Sequence, residues 1–162
     1  MTADLQSDSN TDPAALLRTG LFQGVSDAAI AHVLSIATEQ TFAEGTTVFR
    51  EGDPGNELHL ILSGRIRISR NLAGMGEEAL AVLEPGDAFG EMALIDDTPR
   101  SADAHVQASC KLLTIQRQPF EDLLQRHKEL AYELLWNFVK LLSGRLRDTN
   151  DKMTFLSITG KF

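Results

Sequence analysis

The sequence predicts a mainly β domain, a jelly-roll-like β-roll with flanking helices and a long C-terminal helix. Three observations carry that expectation. Between Gln40 and Gln116, short and often alternating apolar segments are punctuated by Gly45, Gly52, Gly55, Gly64, Gly74, Gly76, Gly86 and Gly90, the pattern of short strands joined by tight turns. Before and after that stretch the apolar residues recur at helical spacing instead. The chain has 162 residues, 43% of them hydrophobic, which is about one domain's length with enough apolar surface for a single core.

Residues 1–12 are polar, with Asp4, Asp8 and Asp12 among Ser, Asn and Thr, and read as a disordered tail ahead of one domain over residues 13–162. Pro13 suits a first helical turn, and Ala14 to Arg18 form a short helix. Ser26 is a good N-cap for a helix over Asp27 to Ala37, whose apolar face is Ile30, Val33, Leu34 and Ala37. In the glycine-marked centre, Leu58, Leu60 and Leu62 point to one side of a strand, and Ser63-Gly64 reads as a tight turn into Arg65-Ile66-Arg67-Ile68. Arg65, Arg67 and Arg70 read as the solvated face of that strand. Pro119 opens a helix through Phe120, Leu123 and Leu124, and a longer one runs from about Lys128 to Met153.

On the long helix, Leu135, Val139, Leu142, Leu146, Thr149 and Met153 are spaced as a coiled-coil seam interrupted only by Thr149, whereas Leu134, Phe138 and Leu141 form a neighbouring stripe suited to the roll. One stripe packing at home and one on a second subunit implies a homodimer. The alternative is a helix simply buried against its own roll.

Charge and composition exclude several classes of function. A formal net charge of −8 opposes direct binding to nucleic acid or to an anionic membrane, which needs clustered Lys and Arg. No stretch approaches the apolar length of a membrane span, and the N-terminus lacks the basic start and apolar run of a signal peptide. The single cysteine, Cys110, makes neither an internal disulfide nor a cysteine metal cage, so a cytoplasmic protein is expected. His32, His59, His105 and His127 show no metal-ligand spacing. Neither a metal, a catalytic group nor a cofactor is expected.

The chemistry lies in residues 89–102, FGEMALIDDTPRSA. Gly90 lets backbone approach a ligand without a Cβ in the way. Glu91, Met92, Ala93 and Leu94 can form one helical turn whose free N–H groups face an anion. The guanidinium fork of Arg100 can give two parallel hydrogen bonds to phosphate oxygens. Glu91 would repel a phosphate, so its expected task is to accept a hydrogen bond from a neighbouring sugar hydroxyl. Ribose plus phosphate is implied.

This segment resembles the phosphate-binding cassette of the cyclic nucleotide-binding domain family, whose members include the catabolite activator protein and protein kinase A regulatory subunits. The likeness lies in Phe89-Gly90-Glu91, Ala93-Leu94 and Pro99-Arg100, and extends through EGDPGNELHLILSGRIRI and LEPGDAFGE to roughly residues 18–153. It implies that Glu91 binds the ribose 2′-hydroxyl and Arg100 the cyclic phosphate, with backbone N–H groups from Gly90 and Ala93. Ser101 would add a hydroxyl to the phosphate or, in a guanine-selective site, to the base. Asp103 departs from the family, which often has Thr, Ser or a large apolar residue there, and a carboxylate facing the phosphate would weaken binding. RLRDTNDKM, residues 145–153, resembles the dimer helix of the catabolite activator protein, which implies that Thr149 contacts the base of its own subunit's ligand and Asn150 the ligand across the dimer.

The expected function is therefore a non-catalytic receptor for cAMP, with cGMP as the alternative ligand, that couples binding to its C-terminal helix and an effector protein. No helix-turn-helix follows that helix, so the chain is expected to stand alone or to be part of a larger Crp/Fnr-like transcription regulator without its DNA-binding domain. A degenerate roll kept only for protein contacts is the remaining alternative.

Overall fold

The structure is a computed structural model that describes residues 12–160, so the proposed tail over residues 1–12 lies, all but Asp12, outside the described residues. Asp12 is a helix cap: its carboxylate accepts from Ala14 N–H at 2.9 Å and starts α1 (Pro13–Leu17). Ser26 caps α2 (Asp27–Ile36) as expected, accepting from Ala29 N–H at 3.3 Å, and Ile30 and Val33 are buried. Ala37, expected to end the helix, instead opens β1 (Ala37–Phe42).

Five further strands follow: β2 (Thr47–Phe49), β3 (Glu57–Leu72), β4 (Gly76–Leu83), β5 (Ala88–Phe89) and β6 (Asp103–Gln116). All pairings are antiparallel. The sheet runs β1-β6-β3-β4, with β2 on β6 and β5 on β3, and is not closed. The described chain is thus a mainly β roll with flanking helices.

Ser63-Gly64 is not the expected turn. β3 is one strand of 16 residues, and its register against β6 shifts between Ile61 and Ile66. Gly64 sits in that bulge at φ +88°, where a Cβ would come within 2.6 Å of Cys110 Sγ and closer still to the Ser109 carbonyl oxygen. Glycine is required because β6 passes through the place of a side chain, a non-local demand that looks like a local turn signal. The arginine face holds as read: Arg65 and Arg70 are exposed, Arg67 is half-buried, and Arg67 and Arg70 pair with Glu77 and Glu51 at 2.8 and 2.5 Å.

After β5, α3 (Glu91–Asp96) carries the cassette turn; α4 (Arg117–Arg126) begins two residues before Pro119, and α5 (Lys128–Thr159) continues six residues past Met153. One core gathers Leu58, Leu60 and Leu113 of the sheet with Phe120 of α4 and Leu134 and Phe138 of α5. A second, inside the roll, contains Ile61, Ile66, Phe89, Val106 and Leu112. The two stripes of α5 largely separate: Leu134 and Phe138 are buried and Leu141 half-buried, whereas Leu135, Val139, Leu146 and Met153 face solvent, with Leu142 of the seam half-buried. A helix wholly buried on its own roll is thereby excluded. No helix among the described residues is long and apolar enough to cross a membrane.

Candidate functional site

The cassette is built where β5 delivers the chain to α3. Gly90 adopts φ +80°, which lets the chain turn directly into the helix; a Cβ there would lie 2.5 Å from Arg100 Nη1 and 2.9 Å from the Glu57 carbonyl oxygen. Arg100 therefore lies against the backbone at this glycine. Its Nη1 donates to the Gly90 carbonyl and its Nη2 to the Glu57 carbonyl, both at 3.0 Å, and its guanidinium stacks on the Phe49 ring at 4.1 Å.

Arg100 is 6% exposed and Glu91 3% exposed, so both charges lie inside the protein. Burial pulls the Arg100 pKa below its ordinary value, with Arg117 adding to the fall, while Glu57, Glu91 and Asp53 act the other way. Neither charge is an isolated surface group. Arg100 has no ion pair with Asp96 or Asp97; Asp97 pairs with Arg117 instead. Glu91 pairs with Arg145 of α5, which also donates to the Ala88 carbonyl.

Under Arg100 lies an aromatic floor. The His59 ring stacks on Phe89 at 5.0 Å and on Phe49 at 6.0 Å, and its Nδ1 lies 3.1 Å from Thr114 Oγ1. Burial, and then the Arg100 charge, lower the His59 pKa to about 3, so it is a neutral core ring. His59 Nε2 and Arg100 Nε have no hydrogen-bond partner among the described residues.

The structure brings Gly90, Glu91, Ala93 and Arg100 together. Ala93 is buried, whereas Met92 and Ser101 are exposed at the rim. The Asp103 carboxylate accepts from Glu51 N–H at 2.6 Å and lies 3.7 Å from His105 Nε2. Thr149 and Asn150 are exposed on α5, and Thr149 Oγ1 donates to the Arg145 carbonyl at 2.9 Å. They are not in the cassette itself; Thr149 lies one helical turn beyond the residue that touches Glu91.

Sequence reasoning missed Phe49, Glu57 and Arg145 as parts of this site. Phe49 and Glu57 carry no local signal. Arg145 does, because it stands four residues before Thr149 and so shares its helix face.

The description "cyclic nucleotide-binding domain" matches residues 39–127, from β1 to the start of α5. The CRP-like cAMP-activated global transcriptional regulator of Mycobacterium tuberculosis is 33% identical over 144 residues, which are 89% of this chain and 62% of that protein. The chain thus spans less than two thirds of that relative. Among solved structures, the N-terminal domain of a Streptomyces coelicolor transcriptional regulator is 34% identical at a TM-score of 0.72, covering 86% of this chain and 94% of that one. The regulatory domain of Toxoplasma gondii PKA, crystallised with cAMP, is 28% identical at a TM-score of 0.64, over 76% and 46% of the two chains. The family match takes in more than half of the chain, including all strands from β2 to β6 and the segment that carries Gly90, Glu91 and Arg100, and on that ground this chain belongs to the cyclic nucleotide-binding domain family.

Proposed function

We propose that the chain is a non-catalytic receptor module for cAMP that passes the binding event to α5, to a second copy of itself and to an effector protein. One observation carries the reading: the buried Glu91 opens the glycine-started turn, the buried Arg100 reaches back to that same glycine's carbonyl, and Arg145 brings α5 to the Glu91 carboxylate. In this reading Arg100 takes the cyclic phosphate with N–H groups of Gly90, Met92 and Ala93, and Glu91 takes the ribose 2′-hydroxyl. Ser101, exposed at the rim, would add a hydroxyl to the phosphate or, in a guanine-selective site, to the base. A 2′-hydroxyl that engages Glu91 competes with Arg145, so ligand would interact differently with different positions of α5, the requirement for a shift. Thr149 and, from a partner, Asn150 would read the base.

The cAMP-activated relative supports adenine over guanine. The exposed seam Leu135, Val139, Leu146 and Met153 supports pairing of α5 with a second copy, because water-facing leucine, valine and methionine at coiled-coil spacing gain by mutual burial. Soluble, intracellular operation is part of this reading.

Calorimetric titration with cAMP, cGMP and cyclic di-GMP tests it. Arg100→Ala should cost about 2–5 kcal/mol of cAMP binding in a protein that still melts cooperatively. Undiminished affinity in that variant would overturn the phosphate assignment, and tighter binding of cGMP than cAMP would move the reading to a guanine receptor through Ser101. Blank titrations with all three would leave a roll that serves protein contacts alone.

A further inference from the structure

Arg117, the first residue of α4, reaches back to the cassette from outside it. Its Nη1 pairs with Asp97 just after α3, and its Nη2 donates to the Ala93 carbonyl within α3 and, at 3.2 Å, to the Gly55 carbonyl between β2 and β3. Its backbone N–H donates to the Asn56 carbonyl at 2.7 Å. One residue thus ties together three segments distant in sequence.

Those segments form the wall around Arg100. A Cβ on Gly55 would lie 2.6 Å from Ala93 Cβ and 2.7 Å from Arg100 Nε, so loop, helix and guanidinium are in direct contact. The loop also holds Arg100 by its backbone: Arg100 N–H donates to the Asp53 carbonyl at 2.8 Å and Gly52 N–H to the Arg100 carbonyl at 2.9 Å. Without Arg117 the Gly55 and Ala93 carbonyls lose a charged donor in a half-buried place, and the direct tie between the loop and α3 is lost.

We propose that Arg117 is a positioning residue for the phosphate subsite, clamping the Gly55 loop and α3 against Arg100 so that its fork is held in one geometry. The role rests on the cyclic-nucleotide reading above and adds to it a residue outside the cassette. It also makes the start of α4 part of the binding wall.

The test is calorimetric titration of wild type, Arg117→Gln, Arg117→Lys and Asp97→Asn with cAMP, its Rp and Sp phosphorothioates and 2′-deoxy-cAMP, alongside thermal melting. Arg117→Gln should bind cAMP about 10- to 100-fold more weakly, the scale of losing hydrogen bonds from a charged donor. A disturbed fork should change the Rp to Sp affinity ratio by about fivefold or more, while the 2′-deoxy penalty, read at Glu91, stays within about twofold. Arg117→Lys should recover part of the affinity. Asp97 is exposed at φ +59°, a conformation Asn tolerates, so Asp97→Asn should fold and bind about 2- to 5-fold more weakly.

A folded Arg117→Gln with wild-type affinity overturns the proposal, as does an equal loss on every analogue, which marks general loosening. Should Arg117→Gln not fold, wild-type affinity and an unchanged isomer ratio in Asp97→Asn overturn it. A wild type that binds no cyclic nucleotide defeats the functional reading itself; a wild type that binds while Arg117 is indifferent defeats only this role.

Discussion

The two halves of α5 belong to different environments although they form one continuous helix. In the inner half Leu130, Leu134, Asn137 and Phe138 are buried, and the Asn137 amide donates to the Leu21 and Gln23 carbonyls at 2.8 and 3.1 Å. From Leu146 onward every described residue is exposed, including Leu146 itself at 62%, Phe155 and Ile158. Arg145 stands at the border with its hand on Glu91. The lesson is that continuity of hydrogen bonding does not make a helix one energetic unit: the inner half is held by the core, and the outer half must draw its stability from elsewhere.

That contrast can be broken most forcefully from the inner side. Phe138→Ala, at 2% exposure and edge-on to Phe120, should cost about 3–5 kcal/mol in urea unfolding. A loss under 1 kcal/mol would mean that the inner half is not core.

Acid should act on the roll beneath the cassette next. The His59 pKa is about 3 in the fold against 6.5 unfolded, so between those values only the unfolded chain is protonated, and stability falls as pH drops below 6.5. Between pH 7 and pH 5 that amounts to about 2 kcal/mol for a ring that is 1% exposed. Urea unfolding of wild type and His59→Gln at both pH values checks it, since the variant should lack this component; equal losses would show that His59 is not the group responsible.

At the border the effect is smaller. Arg145→Met leaves the buried Glu91 carboxylate without its cation and should cost the ligand-free protein about 1–3 kcal/mol. Added cAMP should narrow that gap if the ribose hydroxyl satisfies Glu91. Smallest of all, Leu146→Asp should leave urea stability measured on the monomer within about 0.5 kcal/mol while shifting sedimentation from dimer to monomer. A dimer that survives this charge would place the subunit contact off the seam.

The sequence made the roll legible because its signals are local: glycine punctuation, alternation, and caps such as Ser26. The cassette was legible for the same reason, with Gly90, Glu91 and Arg100 inside one fourteen-residue segment. What escaped depends on distant partners. Gly64 was misread because a bulge and a turn ask for the same residue, and only the passage of β6 at Ser109 and Cys110 separates them. Glu91 and Arg145 are 54 residues apart, and Arg117 meets Gly55 across 62. Such pairs leave no trace in periodicity, whereas the two stripes of α5 were legible because burial follows helical spacing directly.

Asn137 also gives α5 the mechanics of a lever. A buried amide bonded to two carbonyls resists sliding along the helix axis, because a shift of one residue would break both bonds, yet it tolerates a small tilt about that point. Counted from this fulcrum at 1.5 Å per residue, Arg145 lies about 12 Å along the arm and Thr159 about 33 Å. For a helix that tilts as one body, a sideways displacement of about 1 Å at Arg145 would become about 3 Å at the far end, so the length of the arm would multiply a shift made at Glu91.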